Sequence, residues 1–219
     1  MNVTDFVTNY PLVYHMAESG SWPSIQKQGL LSTSALLDLF EVEGEERFAI
    51  ESQWRPQSVV ITHPTHGTAV IRDQKPLHEG ALAKLLDGMS TREYFELLNG
   101  KTFFWVRSER LERLLNARAY RSRRHIVLTV DSKQLVTSNA GRLWLSPINS
   151  GAIFGSGRRG VQTFNGISEY PFEDMKKRKG RDAIVELAVD YAVKNISDLT
   201  AKVEEWEAGT PVQTIWPVD

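Results

Sequence analysis

The sequence contains no cysteine among its 219 residues. This absence excludes disulfide bonds, thiolate metal ligands and a cysteine nucleophile, and it is typical of a reducing compartment. Long apolar runs are also missing, since no segment approaches the roughly 18 uninterrupted apolar residues of a membrane-spanning helix. The first fifteen residues lack the basic start and apolar stretch of a signal peptide. We therefore expect a cytoplasmic protein with no membrane partner.

An excess of charge of either sign is missing as well. The 26 Lys and Arg residues are balanced by 27 Asp and Glu residues, for a formal charge of -1. The total charge therefore indicates no polyanionic partner, and a nucleic-acid interpretation depends on local clusters. With 41% hydrophobic and 24% charged residues, the composition is that of an ordinary globular protein. Length and composition predict one domain, residues 1–219, with one substantial core.

The segment Leu12–Ser32 combines a strand, a histidine and a short helix. Its first three residues favour β-structure and lead directly into His15. A turn cluster follows, after which Ser21 or a later serine caps a short helix that tolerates proline in its first turn. Gly29 suits the left-handed position that ends such a helix. The pattern predicts a strand that carries a histidine, followed by a helix and a turn.

Three consecutive aromatic residues, Phe103, Phe104 and Trp105, lie in the predicted strand Lys101–Val106. Side chains alternate across a strand, so the three rings cannot all lie on one face. One interpretation is a central strand that is covered on both faces. The other is that one ring stacks against a planar heterocycle. The pattern by itself leaves both open.

A glutamate occupies the middle of the late apolar run Asp182–Val193. If the run is a strand, Glu186 is an ionisable group within a sheet, where it is costly unless it is paired or used. If the run is a helix, Glu186 is an ordinary residue of the polar face. The density of β-branched residues favours the strand.

Two further local patterns have alternative interpretations. His63 and His66 are spaced like metal ligands, but no third ligand follows at a matching spacing, so a solvated turn is favoured over a metal site. Arg72 and Asp73 end a short β-favouring run. They are placed either to contact a ligand or to form a surface ion pair of little energetic value.

Taken in chain order, several of these segments resemble the ADP-ribosyltransferase superfamily. The likeness is to the DarT-type toxins, which modify DNA. It is carried by Tyr14-His15 with the Gly-Leu-Leu-Ser exit at Ser32, the aromatic strand followed by Arg107-Ser108, the strand His125–Val130, and a late glutamate after a glycine-rich loop. The sequence departs from that type where Met16 and Ala17 follow the histidine, and where no arginine clearly matches its NAD-contacting arginine.

The resemblance implies an α+β fold in which a split mixed or antiparallel sheet is flanked by helices. It also implies an NAD-dependent mono-ADP-ribosyltransferase with NAD as substrate and no metal. Glu186 would be the catalytic carboxylate next to the reacting ribose, and His15 would hydrogen-bond the other ribose. Phe104 or Trp105 would stack on nicotinamide, and Arg72 or Arg107 would bind the pyrophosphate. The full set expected to contact NAD is His15, Tyr14, Phe104, Trp105, Arg72, Arg107 and Ser32.

The expected acceptor is nucleic acid, DNA or RNA, and the expected role is that of a bacterial toxin or anti-phage defence effector with an antitoxin as candidate partner. By the same resemblance, residues 146–180 would form the substrate-selecting loop region, and its acceptor contacts would be Arg158, Arg159 and Phe154. A basic segment, residues 107–124, supports this interpretation. The same arginines also fit a solvated, ion-paired helix. Other possibilities are a protein acceptor, an RNA 2′-phosphotransferase-like enzyme or NAD hydrolase on the same fold, and a non-catalytic nucleic-acid-binding module.

Overall fold

A computed structural model describes residues 1–153 and 157–217 as a mixture of short helices and a large antiparallel sheet. In chain order the helices are α1 (Val3–Asn9), α2 (Trp22–Gln28), α3 (Thr33–Leu39), α4 (Gly44–Glu51), α5 (Glu79–Leu82), α6 (Thr91–Asn99), α7 (Ser108–Leu115), α8 (Ser132–Ser138), α9 (Phe172–Lys179) and α10 (Ile196–Leu199). The strands are β1 (Leu12–Glu18), β2 (Leu30–Leu31), β3 (Val59–His63), β4 (Gly67–Ile71), β5 (Lys101–Trp105), β6 (His125–Asp131), β7 (Leu143–Ser146), β8 (Asn165–Gly166), β9 (Glu186–Asp190), β10 (Ala192–Val193), β11 (Thr200–Glu207) and β12 (Thr210–Trp216). The predicted α+β class, with helices flanking an antiparallel sheet, is confirmed.

The main sheet has the strand order β12-β11-β6-β1-β5-β9-β7-β8 over the described residues. Strand β6 is buried along its whole length except at Asp131, which explains its continuous apolar sequence. Two smaller sheets, β2 with β10 and the hairpin of β3 with β4, lie outside this order. Among the described residues, none of the helices combines the length and apolar character needed to cross a bilayer.

The sheet is incompletely paired between β1 and β5. Strand β1 is in register with β6 from Leu12 to Glu18, but its register with β5 consists of the pair Tyr14–Trp105. On the far side of β5, pairing with β9 is complete, from Lys101 to Trp105. The imidazole of His15 hydrogen-bonds through Nδ1 to the carbonyl oxygen of Phe103, at 2.8 Å. This side chain thus gives the Phe103 carbonyl a partner where backbone pairing between β1 and β5 is missing. The two halves of the sheet therefore diverge and leave a cleft between them.

The three aromatic rings of β5 are divided between the two faces of the sheet, as alternation requires. Phe104 is 0% exposed and belongs to the main apolar core. Phe103 lies in a second apolar cluster, where its ring centroid is 6.1 Å from that of Phe164. Trp105 is half-buried and packs against the cluster that contains Leu111 of α7. The expectation that the rings face both sides is confirmed.

The late apolar run, residues 182–193, forms a strand, not a helix, at Glu186. Glu186 is the first residue of β9, which pairs with β5 on one side and β7 on the other. Tyr191 then adopts a positive φ of 65° and separates β9 from β10. The bend directs β10 into a different sheet, with β2, so the predicted single strand is two. The helical interpretation of Glu186 is wrong.

The region of residues 146–180 is more regular than its glycine content predicted. Its described residues include a 3-10 turn at Val161–Thr163, the short strand β8 and the helix α9. The basic run Lys176–Lys179 is the last turn of α9, where cations interact favourably with the free carbonyl groups of the helix end. Much of this region is therefore packed structure and not an open loop.

Replacement of Phe104 by alanine tests the assignment of this ring to the core. Because the side chain is fully buried, we expect Phe104→Ala to lower the free energy of unfolding by about 3–5 kcal/mol. Val212, which is 50% exposed, is the control, and Val212→Ala should change the free energy of unfolding by less than about 0.5 kcal/mol. Chemical denaturation measures the free energy of unfolding of both variants. Equal effects would show that Phe104 is not a core residue.

Candidate functional site

A cavity of about 450 Å³ lies in the cleft between β1 and β5. Its walls come from β1 and the turn after it, from α2 and β2, from the end of β4, from β5 and from the segment at residues 149–151. The volume is within the range of about 300–1,000 Å³ that is usual for small-molecule sites. The segments that line it are far apart in the sequence, so the fold creates this site.

Glu186 contributes a buried carboxylate to the cavity. The residue is 4% exposed, and its Oε2 accepts hydrogen bonds from the backbone N–H of Ser150 at 3.0 Å and from its hydroxyl at 2.7 Å. Burial raises the pKa of Glu186 to about 7, although the two bonds from Ser150 act in the opposite direction. The carboxyl group therefore changes its charge near neutral pH, which is where a group that exchanges protons in catalysis is most effective.

Ser150 is itself fixed in place. It is 1% exposed, and its carbonyl oxygen accepts a hydrogen bond at 3.0 Å from the hydroxyl of Tyr94 on α6. A capping box formed by Ser90 and Glu93 begins α6, as the sequence predicted. Sequence reasoning missed Ser150, because a small polar residue in a glycine-containing loop carries no periodic signal.

His15 lies in the cavity wall as a neutral imidazole. Burial lowers its pKa to about 4, while its bond to Phe103 acts in the opposite direction. The partner of Nδ1 is a carbonyl oxygen, so Nδ1 must carry the proton and donate. Nε2 is then unprotonated and can accept a hydrogen bond. A neutral ring with one free acceptor is suited to bind a hydroxyl group.

Arg72 and Asp73 line the cavity and do not form a surface ion pair with each other. The Asp73 side chain is 0% exposed, and its Oδ1 accepts a hydrogen bond from the hydroxyl of Tyr120 at 2.9 Å. The guanidinium of Arg72 lies over the ring of Tyr120, 5.1 Å from the centroid. Burial lowers the pKa of Arg72, and the neighbouring Tyr120 and Asp73 oppose that shift. Asp73 instead pairs with Lys75 at 3.7 Å and with Arg123 at 3.5 Å, and contact of Arg72 with a ligand stays a prediction.

Of the remaining predicted NAD contacts, two line the cavity. Trp105 is half-buried in its wall, in register with Glu186. Ser32 is 2% exposed, and its Oγ accepts a hydrogen bond from the N–H of Ala35 at 3.1 Å as the cap of α3. The hydroxyl of Ser32 therefore has a structural role as well as a place in the wall.

Three predicted contacts are not brought to the ligand space. Phe104 is next to the cavity, but it is 0% exposed and its ring cannot stack on a ligand. Tyr14 packs in the cluster around α7 instead of lining the cavity. Arg107 lies outside the cavity, where its Nε donates to the carbonyl of Arg181 at 2.8 Å and its guanidinium covers Tyr10. Of the predicted residues, Trp105 therefore remains as the candidate for stacking on nicotinamide and Arg72 as the candidate for binding the pyrophosphate.

The three residues expected to contact the acceptor, Arg158, Arg159 and Phe154, differ in their surroundings. Arg159 is 1% exposed, and its guanidinium donates to the carbonyl oxygens of Gly157 and Ala152, so it stabilises its own loop and is not available to an acceptor. Arg158 is exposed and pairs with Asp87 at 3.3 Å. Phe154 lies outside the described residues.

The basic segment is partly neutralised by acidic partners. Arg110 pairs with Asp182 at 2.9 Å, and Arg124 pairs with Glu205 at 3.2 Å. Arg123 lies 3.5 Å from the buried Asp73. For these arginines the ion-paired interpretation is correct. Exposed side chains remain at Arg113, Arg118 and Arg121.

His63 and His66 flank the turn of the β3–β4 hairpin, as expected for a turn. Their rings are stacked, with centroids 4.7 Å apart. Glu41 approaches Nε2 of His63 at 3.7 Å. Among residues 1–153 and 157–217, no group of three or more His, Asp or Glu side chains could hold a metal ion.

A family model described as a family of unknown function, DUF7002, matches residues 11–200. The chain belongs to this family. The match spans β1 to α10, so every wall of the cavity in this DUF7002 member falls within it, whereas β12 falls outside. No curated protein matches the chain.

The buried carboxyl group predicts a pH-dependent stability. An unfolded chain ionises Glu186 near its ordinary pKa of 4.5, but the folded protein does so only near 7. Stability is therefore lost as pH rises from 4.5 through 7. Glu186→Gln removes this loss, so the variant should match the wild type near pH 4.5 and exceed its free energy of unfolding by about 3 kcal/mol near pH 8, at about 1.4 kcal/mol per pKa unit.

Chemical denaturation at several pH values measures the difference. Glu45→Gln removes an exposed carboxylate from the first turn of α4 and serves as the matched control. A Glu186→Gln difference that does not change with pH would show that Glu186 has an ordinary pKa in the folded protein.

Proposed function

We propose that this DUF7002 member is a mono-ADP-ribosyltransferase that transfers ADP-ribose from NAD⁺ to a nucleic-acid acceptor. The main support is the buried carboxylate of Glu186, held by Ser150 in a cavity at the split of the sheet, with His15 and Trp105 in the same cavity. The resemblance of the sequence to DarT-type toxins connects this arrangement with NAD⁺. The cavity is large enough for a substantial part of such a ligand.

The proposed reaction breaks the bond between the ribose C1′ and the nicotinamide nitrogen, which leaves with the bonding electrons. Positive charge then develops on the ribose, and a nearby carboxylate stabilises it electrostatically. The acceptor forms the new bond to C1′ and loses its proton. Because Ser150 bonds to Oε2 of Glu186, Oε1 remains to contact the ribose or to accept that proton.

The other cavity residues have positioning roles in this proposal. The neutral His15 accepts a hydrogen bond from a ribose hydroxyl through Nε2, and Trp105 packs against the nicotinamide ring. Arg72 contacts the diphosphate bridge or a group next to it. None of these three residues takes part in bond breaking. They position NAD⁺ so that the bond between the ribose C1′ and nicotinamide lies near Glu186.

The resemblance to DarT-type toxins is the main support for a nucleic-acid acceptor. Arg113, Arg118 and Arg121 are exposed and could contact phosphates, which favours DNA or RNA. In this role the protein is a cytoplasmic toxin or anti-phage effector, and an antitoxin is its candidate partner. Arg110 and Arg124 are each paired with an acidic residue, and Arg159 is buried, so these arginines are not available to a nucleic acid. This favours a second candidate function, the hydrolysis of NAD⁺ with water as acceptor.

Incubation of the protein with labelled NAD⁺ and DNA, RNA or a protein lysate tests the activity. Label on nucleic acid supports the first candidate, and free ADP-ribose alone supports the second. We expect Glu186→Gln to lower NAD⁺ consumption by about 100-fold or more while NAD⁺ binding is retained. Glu45→Gln, an exposed control, should leave it unchanged. Unaltered turnover in Glu186→Gln would remove Glu186 from its catalytic role.

Ser150→Ala tests how Glu186 is positioned. The Ser150 bonds lower the pKa of Glu186, so loss of the hydroxyl should raise that pKa further. If the carboxylate is the active form, the wild-type rate rises with pH through about 7, and the rise in Ser150→Ala should be displaced to higher pH. Measured pH profiles of kcat/KM for both proteins decide the matter. A lower rate with an unmoved profile would argue that Ser150 acts by another route.

A further inference from the structure

Glu18, the last residue of β1, carries a carboxylate oxygen whose bonding is incomplete. Its Oε2 is buried and has no hydrogen-bond partner among the described residues. The residue lines the cavity. A buried carboxylate oxygen without a donor is unfavourable by itself, so such an atom in a binding cavity indicates that a ligand supplies the donor.

Arg72 offers the opposite kind of group in the same part of the cavity. Its Nε is buried and also lacks a hydrogen-bond partner in the described part of the chain, while its Nη1 donates to the carbonyl of Met16 at 3.4 Å. Met16 is two residues before Glu18 on β1, and the charge of Glu18 acts on Arg72. No ion pair joins the two described side chains. A group that both donates and accepts, such as a hydroxyl, can satisfy both.

This end of the cavity is distant from Glu186. Glu186 is in register with Trp105, and Trp105 is in register with Tyr14. Glu18 follows Tyr14 by four residues, which at about 3.3 Å per strand residue corresponds to about 13 Å along β1. The cavity is therefore elongated, with one carboxylate at the closed end of the split and another at the open end.

The carboxylate of Glu18 does not favour an additional phosphate beside it. Asp73 lies 3.5 Å from Arg123 and, like Glu18, acts on Arg72. Lys75 also lies 3.7 Å from Asp73, so Asp73 is already paired with cations and Glu18 is the carboxylate that a ligand meets without a donor from the described residues. A phosphate placed against Glu18 would also meet a like charge, which is strongly unfavourable in a partly buried site.

We propose that Glu18 recognises the adenosine ribose of NAD⁺ by accepting a hydrogen bond from its hydroxyl groups, and that it excludes NADP⁺, whose 2′-position carries a phosphate. The proposal rests on the proposed function, since it assigns the second nucleoside of the same dinucleotide. A carboxylate that accepts from a ribose hydroxyl is a known physical solution to this discrimination in unrelated nucleotide sites. Arg72 donates to the same ribose or to the adjoining phosphate.

Binding of four ligands by calorimetry tests the proposal: NAD⁺, NADP⁺, ADP-ribose and nicotinamide mononucleotide. The wild type should prefer NAD⁺ to NADP⁺ by about 100-fold. Glu18→Gln keeps an acceptor but removes the charge, so this preference should fall by about tenfold or more, mainly through tighter NADP⁺ binding. Affinity for ADP-ribose should fall, whereas affinity for the mononucleotide, which lacks the second nucleoside, should not change.

Glu45→Gln is the matched control, because it removes an exposed carboxylate outside the cavity and should preserve every affinity. An unchanged ratio of NAD⁺ to NADP⁺ affinity in Glu18→Gln would overturn the role of Glu18 while leaving the proposed function intact. So would an equal loss of mononucleotide binding, because it would place Glu18 at the nicotinamide end. If the wild type binds none of the four ligands, the proposed function fails and this proposal fails with it.

Discussion

The incomplete ladder between β1 and β5 is the constraint on which the cavity depends. Central strands of a sheet normally satisfy their backbone groups through their neighbours on both sides. Here β1 is fully paired with β6 and β5 is fully paired with β9, but the two strands share one register pair, Tyr14–Trp105. The ring of His15 takes over one carbonyl that the ladder leaves free. A sheet that closed completely would have no space for a ligand at its centre.

The same opening explains the unusual carboxylate. A glutamate at the start of a central strand is buried from both sides, so its charged form is disfavoured and its pKa rises to about 7. Ser150 provides two hydrogen bonds that keep the group ordered, and Tyr94 in turn holds Ser150. The carboxylate is thus retained in a position that is unfavourable for stability, which is a common property of functional sites.

Some expectations were wrong because sequence patterns do not report which side of an element is covered. Arg159 follows a glycine-rich string that looked exposed, yet its guanidinium binds carbonyl groups of its own loop. Phe104 and Trp105 are neighbours of the same chemical class, and alternation puts one in the core and the other in the cavity wall. Arg107 follows β5 of the main sheet and Arg72 follows β4 of the small hairpin sheet, and of the two only Arg72 lines the cavity. In each case the packing around the side chain decided where it lies.

The resemblance to ADP-ribosyltransferases implied the class of fold. The sequence by itself determined the strand that carries His15, the buried strand β6 and the place of Glu186 within a strand. These features follow from local properties, namely the period of apolar side chains, β-branched density and capping residues, which act over a few residues. Only the tertiary structure decided that β1 and β5 diverge, that Ser150 holds Glu186, and that Glu18, Arg72 and Tyr120 share one cavity. Those contacts join residues that are far apart in the sequence, so they depend on strand order and register, which no local pattern contains.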